Sequence, residues 1–302
     1  MSVANRRWND LRLFETEIYL SSHSTGVERK GHPRRLTDLA QTAMIHSFPP
    51  EILDLIVGQL HGEPATLKAC CLVSKSWVPR SRTHLFTHVK FSEKSAERWM
   101  KTFPDPLNSP TRYTRTLTIQ GLQSAPGGAD AHRWIRAFHN VVRLHVNQHP
   151  LAPFHGLSPT IKSLRLEFGR VRLSEVFDLM CSFPLLEDLT LLIYAYEDDL
   201  DGWTTPSTSP RLTGSLMLHS MYGIGPITRR LLDLPNGLNF TEVMSTCAKE
   251  KDIKSTTDLV SGCANTLESL DFVNFFSCKL PSVPVLERCL TAALSLAHGN
   301  SV

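Results

Sequence analysis

The chain lacks the spacings that mark metal centres. Its seven cysteines are an odd number, include the adjacent pair Cys70 and Cys71, and never form C-x-x-C. A tetrahedral zinc site needs paired ligands at short spacing, so none is expected. Adjacent cysteines on a helix read as small core residues. His84 and His88 stand four apart, as do His145 and His149, yet neither pair has a carboxylate or cysteine at ligand spacing. They read as surface or packing histidines.

Long apolar runs are also missing, with nothing approaching the roughly 18 residues of a membrane span. Arg12, Glu15 and Glu17 interrupt the stretch where a signal peptide needs an apolar core. The formal charge of +3 is too small to argue for nucleic acid. The expectation is an intracellular protein, cytoplasmic and/or nuclear, with neither membrane nor nucleic acid as partner. No G-x-S-x-G, phosphate-binding loop or H-E-x-x-H occurs, so neither catalysis nor a cofactor is expected. The acidic run Glu197–Asp201 lacks the glycine and distal glutamate of a calcium loop. Trp203, beside that run, is a candidate for partner contact.

What is present is an ordinary apolar content of 41%, enough for one large domain or two unequal ones. Residues 1–45 carry a basic cluster, ERKGHPRR, at 28–35 and are expected to be a disordered tail with a short helix near Leu36 to Met44. From Phe48 the pattern sharpens. Ser47 is placed to cap a helix, and Pro49 and Pro50 suit its first turn. Ile52, Ile56 and Leu60 recur every four residues, with Leu53 and Val57 beside them. A second helix is expected from Ala65, with Leu67, Ala69, Val73 and Trp77 on one stripe. A third runs from Pro79 through Arg82, Leu85 and Phe86. So small a unit rarely stabilises itself, and its aliphatic residues cannot all face one centre.

Phe48-Pro49-Pro50-Glu51-Ile52-Leu53, the spaced Ile56, Leu60 and Leu67, and Leu72-Val73-Ser74-Lys75-Ser76-Trp77 before Leu85-Phe86 resemble an F-box over residues 46–91. Phe48 stands where the pattern has leucine, and His61-Gly62-Glu63-Pro64 replaces the usual aspartate-containing link. The resemblance implies docking onto the Skp-type adaptor and cullin core of a ubiquitin ligase. It assigns partner binding to Pro49, Pro50, Ile52, Leu53, Ile56, Leu60, Leu67, Leu72 and Val73. Trp77, Leu85 and Phe86 are expected to pack against the domain on their C-terminal side.

Beyond residue 110, leucine-centred hexads recur: TRTLTI, VVRLHV, IKSLRL, LEDLTL, TGSLML and LESLDF. Their central leucines, 117, 144, 164, 189, 216 and 270, are spaced by 27, 20, 25, 27 and 54 residues. The doubled last gap predicts a further unit at position 243, where FTEVMS fits weakly. Amphipathic stretches at 130–140, 172–183, 227–234 and 256–263 alternate with these strands. The pattern resembles an irregular leucine-rich-repeat solenoid over residues 92–302, without the usual asparagine. The competing reading is a generic α/β domain whose leucines merely alternate. A final helix at 285–297 is too apolar for a solenoid cap, as expected of a truncated or incomplete array.

The expected class is therefore α+β: a small helical F-box hairpin, then an irregular repeat solenoid. The combination resembles fungal F-box-like proteins. It implies a substrate-recognition adaptor presenting an unknown client protein. The alternative is a repeat-containing scaffold that never enters a ligase.

Overall fold

A computed structural model describes residues 49–121, 134–197, 203–204, 209–246 and 250–273. The expected tail at 1–45, the capping Ser47 and Phe48, residues 198–201 of the acidic run, the start of the 130–140 helix and the helix at 285–297 lie outside the described residues. Two compact units partition the chain. The first holds residues 1–90 and 94–114, and the second holds 91–93 and 115–302.

The first unit is helical. Helix α1 spans Pro50–Gln59, α2 Pro64–Val73, α3 Trp77–Leu85 and α4 Glu93–Thr102. Proline occupies the first turn of α1 and α2, where its missing N–H removes no helical hydrogen bond. No side chain caps α1; the Pro49 carbonyl accepts from Ile52 N at 3.1 Å and Leu53 N at 3.2 Å. The buried side chains are Leu53 and Val57 on α1, and Leu67, Cys70 and Cys71 on α2. Phe86, Trp99 and Phe103 form an aromatic trio, with Trp99 and Phe103 centroids 4.9 Å apart and Phe86 edge-on to both.

Two features of this unit depart from expectation. The predicted α2 stripe fails, because Val73 is exposed and Trp77 begins α3 instead of ending α2. Ser74 takes an extended backbone, φ −154° and ψ 150°, and its Oγ accepts from Ser76 N at 3.3 Å. That local hydroxyl bond competes with helical continuation and resets the phase.

Strands supply the rest: β1 His88–Phe91, β2 Thr116–Gln120, β3 Arg143–Asn147, β4 Ser163–Arg172, β5 Asp188–Glu197, β6 Ser215–Ser220, β7 Glu242–Thr246 and β8 Ser269–Val273. They form one eight-stranded sheet in strict sequence order. β2 through β8 pair in parallel. The registers align Leu117, Leu144, Leu164, Leu189, Leu216, Val243 and Leu270 in one row across seven strands. The strand predicted at 243 is thus present. Alternation at period two buries these residues, except the half-buried Leu270, together with Ile119, Val146, Leu166 and Leu191.

Helices α5 Leu173–Cys181 and α6 Gly225–Leu232 lie where helical periodicity places them, while α7 Glu250–Gly262 begins six residues before the expected 256–263 stretch. Their apolar stripes, including Phe177, Met180, Leu231 and Leu259, complete the interior with the strand leucines.

This topology corrects the expected fold class. The chain is α/β, built on an eight-stranded sheet with helices, and is neither an α+β pairing nor a helical F-box hairpin with a leucine-rich-repeat solenoid. β1 starts at His88, within the 46–91 segment expected to form a helical module. The connection from β3 to β4 carries only the 3-10 turn Ala152–Phe154, so no uniform repeat is kept. Leucine alternation marks any strand with one buried face and does not by itself define a repeat unit. The competing α/β reading is the one this arrangement matches. Because strand order never reverses, the described sheet has no topological switch point, the usual crevice for a nucleotide.

Candidate functional site

On α1 the helical period separates two apolar stripes. Leu53 and Val57 point into the unit's own core, at 4% and 0% exposure. Ile52, Leu55 and Ile56 occupy a second stripe about 130° away round the helix and stay solvent-facing, at 41%, 63% and 38%. At the end of α2, Leu72 is 77% exposed and Val73 is also open. Isolated exposed aliphatics are ordinary, but a stripe at i, i+3 and i+4 is the form in which a helix meets a partner.

The surroundings hold this surface in place. Arg80 on α3 pairs with Asp54 on α1, and its Nη1 donates to the Ser76 carbonyl at 3.1 Å. Between the helices, His61 Nδ1 and the Gly58 carbonyl are 3.0 Å apart, and Glu63 N donates to Leu60 O at 2.9 Å. Pro64 then starts α2, so the unusual His61–Pro64 link is a compact turn. Burial pushes the Cys70 and Cys71 thiols up from their ordinary range, partly offset at Cys71 by the neighbouring Ser81 hydroxyl and the Arg82 charge. Those two cysteines act as core residues.

The residues assigned to partner binding therefore divide. Pro49, Pro50, Ile52, Ile56, Leu72 and Val73 are exposed, and Leu60 is half-buried. Leu53 and Leu67 are spent on the unit's own interior. Sequence reading passed over Leu55, the most exposed aliphatic on α1, although its i+3 spacing from Ile52 was the available signal.

In the second unit, Trp203 is pinned to its own domain. Its Nε1 donates to Asp178 Oδ1 at 2.8 Å, its ring lies 5.5 Å from Phe177, and the Arg230 guanidinium sits 5.8 Å above it. His145 Nε2 lies 3.5 Å from Glu167 Oε2, a partner on the neighbouring strand that linear spacing could not reveal. His149 is buried edge-on to Phe154, with Nδ1 2.7 Å from the Pro150 carbonyl. Among the described residues no three histidine, cysteine or acidic side chains gather as metal ligands, and no helix is long and apolar enough to cross a membrane.

Neither a scan against protein-family models nor a search of curated proteins finds a match to this chain.

Proposed function

We propose that the chain is a substrate-recognition adaptor of an SCF-type cullin–RING ubiquitin ligase, working in the cytoplasm or nucleus. The helices over 50–73 dock on a Skp-type adaptor, and the sheet unit presents a client protein. Catalysis belongs to other subunits, and this chain positions substrates without a cofactor. The observation that carries the reading is the exposed stripe Ile52, Leu55 and Ile56 together with Leu72 and Val73. Covering what remains of Ile56 contributes about 1 kcal/mol, and covering Leu72 about 2 kcal/mol.

The test is recovery of the ligase core on tagged full-length protein from cells. Wild type recovers the Skp-type adaptor and cullin, and the Ile56→Asp, Leu72→Asp double variant loses both. Because Ile56 is only 38% exposed, the comparison requires the double variant to match wild type in circular dichroism and denaturation midpoint. Equal recovery rejects the ligase role and leaves a protein-binding scaffold.

A further inference from the structure

The strand alternation that buries one set of residues leaves the other on the opposite face of the sheet. There, registered pairing sets Thr118, His145, Arg165, Thr190, Met217, Met244 and Asp271 in one row. All are half-buried or exposed. The face changes character along the row. Arg143 and Arg165 are exposed over β3 and β4, and Arg143 makes no ion pair among the described residues. Over β5 to β7 stand Leu192, Met217 and Met244, each half-buried. Methionines adapt to irregular apolar partners.

From this juxtaposition we infer that the open face binds an extended client peptide carrying an aspartate or glutamate about three residues from a leucine or aromatic side chain. The spacing follows from the sheet. Arg165 and Met217 lie in one row two strands apart, roughly 10 Å at ordinary strand separation. An extended chain covers that in about three residues. The charge argues for a carboxylate rather than a phosphate. Glu167 Oε2 sits 3.8 Å from Arg165 and offsets part of the basic field, and the register places Asp188, bound to Ser215, in Arg143's row two strands away. So tempered a field suits a monoanion, whereas a dianion would meet stronger repulsion from Glu167.

This inference rests on the client-presenting reading, and its test is separable from that of ligase docking. The full chain is titrated with fluorescein-labelled Gly/Ser peptides bearing glutamate and leucine three positions apart, in either order. Binding is expected to weaken about tenfold when the peptide glutamate becomes glutamine, and likewise with Arg143→Glu plus Arg165→Glu or with Met217→Ser plus Met244→Ser. Glu167→Gln is expected to tighten it about threefold, a gain that misfolding cannot mimic. The proposal is overturned if no peptide binds, as when a segment of this chain already covers the face. It is also overturned if glutamine and glutamate peptides bind equally, or if a phosphoserine peptide outcompetes the glutamate one. Intact peptide binding with lost ligase recovery removes only the ligase reading, and the reverse removes only this one.

Discussion

Asp188 and Gly214 compete for one space. A Cβ at 214 would collide with the Asp188 carboxylate, whose Oδ1 accepts from Ser215 N at 2.8 Å and Ser215 Oγ at 3.1 Å. The pair joins the starts of β5 and β6, so the glycine's missing side chain sets how closely the two strands begin.

Gly214→Ala is accordingly expected to destabilise the protein by about 1–3 kcal/mol, through overpacking and loss of the Ser215 contacts. Chemical denaturation measures it. Combining it with Asp188→Ala should cost less than the two single changes added together, since removing the carboxylate makes room for the methyl. Strict additivity would show that the close approach carries no energy.

Trp203 is expected to matter for stability and not for partner recovery. Trp203→Ala removes the bond to Asp178 and the contact with Phe177. It should cost about 1–2 kcal/mol while leaving co-purified adaptor unchanged. Lost recovery at unchanged stability would return Trp203 to the interface.

Two cysteines make a pH prediction. Burial, helped by the Asp178 carboxylate, pushes the Cys181 thiol up to about 11. Burial likewise pushes Cys263 up to about 11, against a partial offset from a backbone hydrogen bond at Phe240. At pH 8 only about one in a thousand of each is thiolate, so alkylation in the folded protein should run about a hundredfold slower than in the unfolded chain. The folded state keeps protons that the unfolded chain releases near 9, so both thiols favour folding below pH 9. That contribution is lost as pH rises toward 11. Site-resolved mass spectrometry after iodoacetamide reads the rates, and fast labelling at pH 8 would contradict the burial.

Much of the sheet was legible because its signal is local. Every leucine-centred hexad became a strand, and the doubled gap located β7 around Val243 despite its poor match. Helices α5, α6 and α7 were legible from the same alternation of period two with period 3.6. The class was not, because one parallel register running from β2 to β8 is a property of pairing, which no single segment encodes. The phase break at Ser74 hid which side of α2 is buried. On α1, Ile52 and Leu53 look equivalent in sequence, yet 100° of rotation decides that one is core and the other surface. The open sheet face gave no periodic cue, since its chemistry arises from Arg165 and Met217 lying two strands apart in one row.

The helical surface is tested most directly by titrating the purified full chain with a purified Skp-type adaptor by calorimetry. Wild type should bind with a negative heat-capacity change from buried apolar surface. Ile56→Asp with Leu72→Asp should weaken binding by at least about a hundredfold, and Leu55→Asp alone by about tenfold. No heat of binding from the wild type, or one isotherm shared by all three proteins, would contradict the docking role of α1 and α2.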